Sequence, residues 1–394
     1  MHIVIIFVLK MKIISFIKNL RLKFYISVYR LMPIQKNKLI FWANSFKQYG
    51  CSPKYITEYL LNNFPNQFDI VWVFENGVEL PDSLPDSIRV VRYFSIDYLK
   101  ELHTARFVIC NMRTGDSYLW HKRKGQKYIQ TWHSSLRLKK IEKDAENTLP
   151  ESYIKCAIAD SAKIDLLISG CEFSTKIFTE SFWYNGKILK CGTPRCDLFF
   201  TDTSSIKQKV CNALKIDESY KLFLYAPTFR NDMKASFHDL DFSAIKTALV
   251  DKFGGKWIIV YRFHPNIISS YSFDQHGVDA THYPDMQELI AASDILVTDY
   301  SSCMFDMAIA GKCCLLYTPD INNYVSKERG LYFNPHDLPF PAATTNEGFI
   351  KLIMTFDPER YKTGINKFME TVGSYETGHA SGQISNYIFQ NLLW

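Results

Sequence analysis

The chain reads as an α/β protein of two domains with a cleft between them. Three observations predict this. Short apolar runs alternate with helix-length segments along most of the 394 residues, the rhythm breaks once near residues 191–197, and informative polar residues gather where strands should end. With 47% hydrophobic and 15% aromatic residues, neither domain lacks material for a core.

Residues 1–38 are expected to form a basic amphipathic membrane-associating segment. The run Ile3–Leu9 is seven residues long, far short of the roughly 20 needed to span a bilayer. From Met11 to Met32, large apolar residues interleave with Lys12, Lys18, Arg21, Lys23 and Arg30, the pattern of a helix lying among anionic headgroups. A helix docked on its own domain with a solvated basic face is the other reading. No small-residue cleavage site follows the apolar run, so a signal peptide is not expected. Residues 1–57 hold ten Lys or Arg and no acid; the remainder therefore carries 36 basic against 40 acidic residues, a net of −4. This asymmetry argues against a nucleic-acid partner for the whole protein.

The first domain is placed at 39–200. Its strands are expected at LIFWA (39–43), IVWVF (70–74), RFVIC (106–110), YIQTW (128–132) and YIKCAIA (153–159). The stretch CGTPRCD at 191–197 and the polar Thr201–Ser205 mark the boundary. A second domain, 201–370, begins with LFLYAP (222–227) and continues with WIIVYRF (257–263), DILVTD (294–299) and CCLLY (313–317). Residues 371–394 are expected to form a C-terminal helix packing back on the first domain. Ten scattered cysteines without a CxxC pair argue against a zinc site. Cys110 and Cys156, inside apolar runs, read as buried free thiols, which suits a reducing cytoplasm.

The second domain carries its polar residues at three strand ends: Thr228 and Arg230 after the first, His264 after the second, and Ser301 and Ser302 after the third. A parallel sheet brings such ends to one edge, where together they could neutralise and hydrogen-bond a diphosphate. Taken alone, Asp-Tyr-Ser-Ser at 299–302 could simply cap a helix. In the first domain His133 follows an apolar strand, with Ser134, Ser135, Arg137, Lys139 and Lys140 behind it. An imidazole there is suited to take a proton from an attacking hydroxyl, and Asp144 or Asp160 could orient it. A strand-terminal structural histidine is the alternative. No GxSxG elbow surrounds the serines. Glu288 starts a helix, where it could accept from a ribose or only complement the helix dipole. Arg329 is a further phosphate or acceptor contact on a loop. Asp239-Leu240-Asp241 has no strand-end context, and no metal site is expected.

These motifs, in order over about residues 38 to 335, resemble the CDP-glycerol glycerophosphotransferase family, the teichoic-acid primases and polymerases of bacterial envelopes. The matching segments are SPKYITEYL, QTWHSS with LKKIEKD, CGTPRCD, LYAPTFR, RFHP, and DMQELIAASDILVTDYSSCMFDMAIAGK with RGLYF. The resemblance implies two Rossmann-like domains in a GT-B-like arrangement, the first binding the acceptor and the second the CDP donor. It implies His133 as catalytic base with Asp144 beside it. His264, Ser301 and Ser302 would lie near the donor diphosphate, lined by Arg230, Glu288 and Arg329. Lys139, Lys140 and Arg195 would lie on the acceptor side. The implied donor is CDP-glycerol, or CDP-ribitol; the acceptor is a lipid-linked glycan or polymer at the cytoplasmic membrane face, and no cofactor is implied. Two departures fall on the acceptor side: Ser134-Ser135-Leu136 replaces the usual Gly-Thr-Pro with one extra residue before Lys139, and Cys196 replaces an Asn. A nucleotide-sugar glycosyltransferase and a non-catalytic polyanion-binding envelope protein remain as competing readings.

Overall fold

The computed structural model describes residues 20–115, 119–228, 240–263, 277–321, 324 and 330–392. Arg230, His264, Arg329 and the arm before residue 20 lie outside the described residues.

Two parallel sheets form the frame. The first contains β1 (Gln35–Trp42), β2 (Asp69–Phe74), β3 (Arg89–Arg92), β4 (Ala105–Cys110), β5 (Lys127–Gln130), β6 (Leu166–Ser169) and β7 (Lys187–Lys190), in the order β3-β2-β1-β4-β5-β6-β7. The second contains β8 (Tyr220–Tyr225), β9 (Lys256–Tyr261), β10 (Gly277–Asp279), β11 (Ile295–Thr298), β12 (Cys313–Tyr317) and β13 (Ala342–Ala343), in the order β10-β9-β8-β11-β12-β13. Both orders reverse between the first and fourth strands of their sheet, which is the doubly wound, Rossmann-like arrangement. Such a sheet opens a ligand crevice at the reversal, outside the strand carboxyl ends.

Burial follows from this topology. Helices cover both faces of a parallel sheet, so its central strands need apolar residues throughout; all six residues of β4, ARFVIC, are buried. The edge strands β3 and β7, RVVR and KILK, carry charge at both ends and are only partly covered. The segment 153–159, expected as a strand, is instead part of a helix, Glu151–Ser161. Pro150 occupies its N-cap, and Ala157, Asp160 and Ser161 are buried at helical spacing while Ile158 stays 45% exposed. Cys156 is accordingly half-buried on a helix; Cys110 is fully buried, and all ten cysteines are free thiols.

The chain crosses between the sheets twice. Helix Ser204–Leu214 buries Val210 and Cys211 in one cluster with Leu222 and Leu224 of β8, and Leu136, Leu138 and Cys171 from the first sheet's side join that same cluster. Helix Ala380–Gln390 returns, placing Ala380, Ile384 and Ile388 against Ile56 and Leu60. At that return Gly170 is approached so closely that an added Cβ would collide with Ser135 Oγ and Glu376 Oε1.

Candidate active site

The carboxyl ends of the two sheets meet at a cavity of about 480 Å³ lined by Trp132, His133, Arg137 and Lys139 after β5 on one side and Thr228, Arg262, Ser301 and Ser302 on the other. His133 is delivered by β5, whose last residues form a tight exit. Trp132 takes a left-handed backbone, φ 52°, and its N–H donates to Gln130 Oε1 at 2.9 Å. The indole then lies 4.4 Å from the His133 ring, centroid to centroid.

His133 Nδ1 lies 3.2 Å from the carbonyl of Asn111, the first residue after β4. A carbonyl only accepts, so this contact places the proton on Nδ1 and leaves the lone pair on Nε2. Asn111 is fully buried and is itself held by reciprocal bonds to Asn44 after β1: its Oδ1 accepts from Asn44 N at 3.0 Å and its Nδ2 donates to Asn44 Oδ1 at 2.8 Å. The reversal point of the first sheet thus orients the imidazole.

The second sheet supplies hydroxyls and peptide groups. Asp299 Oδ1 accepts from Thr228 N at 2.9 Å, joining the ends of β8 and β11. Thr298 Oγ1 donates to the Ala226 carbonyl at 2.6 Å. Ser301 and Ser302 follow on the rim, and Ser302, at the start of helix Cys303–Ile309, makes no side-chain capping bond. Arg262 Nη1 reaches the carbonyls of Ala280, Thr281 and Tyr283 at 2.5–2.7 Å. Burial pushes the pKa of its guanidinium down, with Asp285 and Asp279 opposing at longer range.

Arg137 is 4% exposed and has no acid partner among the described residues. Its Cζ lies 4.4 Å from the Phe178 ring centroid, its Nη2 donates to Ser134 O at 3.3 Å, and its Nε and Nη1 have no bond. Burial pushes it down to about 10. Lys139 Nζ sits 5.1 Å from the centroid of the Tyr324 ring, which stacks on Tyr300 at 3.7 Å. Lys140 pairs by its backbone with Gly330, N to O at 2.8 Å, away from the cavity lining.

Four residues considered for the site are engaged elsewhere. Asp144 is exposed and its Oδ2 accepts from Tyr332 OH at 2.6 Å, so the orienting group for His133 Nδ1 is the Asn111 carbonyl instead. Asp160, the other carboxylate considered for that part, accepts from Thr114 and Tyr128. Glu288 is buried, with Oε1 held by Lys54 at 2.9 Å and Lys209 at 2.8 Å and Oε2 by Tyr283 OH at 2.6 Å, so both oxygens already accept within the protein. Arg195, expected on the acceptor side, is buried in a two-pronged pair with Asp306, Nη2 to the carboxylate oxygens at 2.9 and 2.7 Å. Its guanidinium ties the crossover at 194–200 to helix Cys303–Ile309 rather than facing a substrate.

The sequence reading missed Arg262 on the cavity wall and Asn111 buried behind His133. Arg262 stood in the quoted RFHP motif and was legible as a strand-end cation. Asn111 acts on His133 through a backbone carbonyl, which leaves no residue-type signal. Among the described residues no group of three His, Cys, Asp or Glu is placed to hold a metal.

The model of the family described as CDP-glycerol:poly(glycerophosphate) glycerophosphotransferase matches residues 24–390. A teichoic acid poly(glycerol phosphate) polymerase of Bacillus subtilis (strain 168) is 30% identical over 404 residues, covering 97% of this chain and 53% of the relative, so the chain spans about half that protein's length. A teichoic acid glycerol-phosphate transferase of Staphylococcus aureus (strain NCTC 8325 / PS 47) is 30% identical over 388 residues, covering 92% of this chain and 96% of the relative. Among solved structures, a variant of the wall teichoic acid polymerase TagF soaked with CDPG superposes with a TM-score of 0.82 at 28% identity, covering 97% of this chain and 98% of that one. On these grounds the chain belongs to the CDP-glycerol:poly(glycerophosphate) glycerophosphotransferase family.

Proposed function

We propose that this protein transfers an alditol phosphate, glycerol phosphate in the first instance, from a CDP-alditol to a hydroxyl of a membrane-linked glycan or poly(alditol phosphate) acceptor. The observation that carries the reading is the placement of His133, proton on Nδ1, across the cavity from Ser301, Ser302 and Arg262. Family membership adds the donor class.

In the reaction the acceptor oxygen attacks the donor phosphorus that bears the alditol. A new O–P bond forms, the bond from that phosphorus to the bridging oxygen breaks, and CMP leaves with the electron pair. His133 Nε2 takes the acceptor proton, a contribution of roughly 10²–10⁴-fold for a positioned base. Negative charge grows toward CMP, where Arg262 and the two serine hydroxyls offer hydrogen bonds; such fixed donors in a water-poor cleft commonly give the largest single effect. His264, Arg230 and Arg329, outside the described residues, are assigned to the same donor side by the family resemblance alone.

The membrane part of the reading rests on the helical stretch 20–31. Leu20, Phe24, Val28 and Leu31 lie along it and are 59%, 64%, 38% and 88% exposed. Spacings of four and three residues put these side chains on one stripe. Arg30 of this helix donates to the His121 carbonyl, and Arg123 reaches back to the Met32 carbonyl, which ties the end of the stretch to segment 121–123. No helix among the described residues is long and apolar enough to cross a membrane. An apolar stripe on a helix that also carries Arg21, Lys23 and Arg30 fits the headgroup layer of an anionic bilayer.

The test is CMP release from purified protein given a CDP-alditol and a lipid-linked acceptor, with CDP-glycerol, CDP-ribitol and UDP-sugars run in parallel. CDP-glycerol should be consumed and His133→Ala should stop release while still binding donor. Turnover with UDP-sugars alone would make the protein a glycosyltransferase, and no turnover with any donor would make it a binding protein.

A further inference from the structure

Two residues at opposite ends of the segment 132–142 adopt left-handed backbones without being glycine: Trp132 at φ 52° and Glu142 at φ 54°. Each such conformation costs on the order of 1 kcal/mol or more and persists only where the surroundings enforce it. Between them lie His133, Arg137 and Lys139, all on the cavity wall. One side chain contacts both ends. Arg113, three residues past β4, donates from Nη2 to Glu142 Oε2 at 3.0 Å, and its Cζ lies 3.8 Å from the Phe182 ring centroid and 5.9 Å from that of Trp132. Phe182 in turn packs edge-on against Trp132 at 4.8 Å.

The guanidinium is itself fixed. Its Nη1 donates to Ser161 Oγ at 2.8 Å and lies 3.5 Å from Asp160 Oδ2, while Nη2 also reaches the Phe182 carbonyl at 3.3 Å. Glu142 is steadied by Tyr153 OH at 2.7 Å. The side chains of Arg113, Glu142 and Asp160 are 8%, 1% and 3% exposed, so the bonds form away from competing water. The exit of β4 therefore acts on the base twice: Asn111 fixes the ring proton and Arg113 the segment that carries the ring.

We propose that Arg113 is a positioning residue for the transfer reaction, a single guanidinium that clamps both ends of segment 132–142 and so sets His133 against the cleft. A planar fork can bond Glu142 in its plane while stacking on aromatic rings through its face; an ammonium cannot do both. The proposal rests on the reading of His133 as the base. It predicts a selective loss, because donor groups on the second sheet are untouched while a small misplacement of a base costs rate steeply.

The experiment compares Arg113→Lys, Glu142→Gln and His133→Ala for thermal midpoint, CDP-glycerol KM and kcat per folded molecule. Arg113→Lys should lower kcat at least tenfold with donor KM within twofold of the parent. Glu142→Gln, which keeps the aromatic stacking, should show the same split more weakly, and it decides the matter if Arg113→Lys does not fold. A parental kcat in folded Arg113→Lys, or in Glu142→Gln where that variant decides, overturns the clamp, as does a loss matched by an equal rise in donor KM. Parental turnover in His133→Ala overturns the base reading instead, so the two failures are told apart.

Discussion

Lys54 Nζ lies 2.6 Å from Asp285 Oδ2, and with side chains 4% and 2% exposed the two join helix Cys51–Asn63 on the first sheet to helix Met286–Ala292 on the second. Glu288 Oε1 lies 2.9 Å from the same ammonium and Glu58 Oε1 3.9 Å. A cation shared by three carboxylates across a domain boundary fixes the width of the cleft above it.

Removing that cation should be costly. Lys54→Met leaves Asp285 buried without its ammonium and Glu288 with Lys209 as its remaining salt bridge among the described residues, and breaking one side of a buried pair costs about 3–5 kcal/mol. The urea midpoint should fall accordingly. The acid side should move as well. Burial opposes the charge on Glu288, but Lys54, Lys209 and Tyr283 outweigh it and hold the carboxyl at about 2. Its folded value is below the ordinary 4.5, so this stability is present above pH 4.5 and is lost as pH falls toward 2. Acid titration of Lys54→Met should unfold at higher pH than the parent.

Glu376 predicts the opposite slope. Its carboxylate accepts from Thr193 N at 2.9 Å and Thr193 Oγ1 at 2.8 Å, yet burial pushes it up to about 7. A raised carboxyl stabilises the fold below its ordinary value of 4.5, and that stability fades as pH rises to 7. Glu376→Gln keeps an acceptor for Thr193 and cannot ionise. Its melting temperature should be near the parent's at pH 4.5 and exceed it at pH 8, by the equivalent of roughly 3 kcal/mol. A constant gap across that range would remove ionisation of Glu376 from the account.

The sequence exposes the frame through its continuous apolar runs, because a strand buried on both faces must be apolar throughout; IVWVF, RFVIC and CCLLY are legible for that reason. The edge strands RVVR and KILK were not, since their charged ends erase the run, and YIKCAIA was misread because a short apolar stretch does not declare its period. His133, Ser301 and Ser302 were legible as polar groups at strand ends and do line the cavity. Glu288 and Arg195 looked the same in sequence. Their partners, Lys54 and Asp306, stand 234 and 111 residues away, and no local pattern reveals a charge neutralised at such a separation.

Arg137 should trade stability for function. It is a cation buried without an acid partner among the described residues, and burial has already pushed its guanidinium down to about 10. A buried polar group without a partner costs roughly 1–3 kcal/mol. Arg137→Met keeps the length and the contact with Phe178 while removing the charge, so the melting temperature should rise or hold. Transfer should slow, because the cleft loses positive potential facing an anionic donor. A lower melting temperature would assign Arg137 to packing alone.

The exposed stripe on 20–31 gives the sharpest membrane test. Phe24 and Leu31, 64% and 88% exposed, touch too little of the protein to matter for folding, so their replacement by Asp should leave the melting temperature within about 1 °C of the parent. Full burial of one such side chain is worth about 1.5–3 kcal/mol, and an added carboxylate is repelled by anionic lipid. Phe24→Asp and Leu31→Asp should each weaken sedimentation with phosphatidylglycerol-containing vesicles by tenfold or more. Sedimentation with neutral phosphatidylcholine vesicles should be weak for parent and variants alike, because the helix cations Arg21 and Lys23 then have no counterpart. If either variant binds anionic vesicles as the parent does, the stripe is not the contact, and any membrane attachment must come from another surface of the protein.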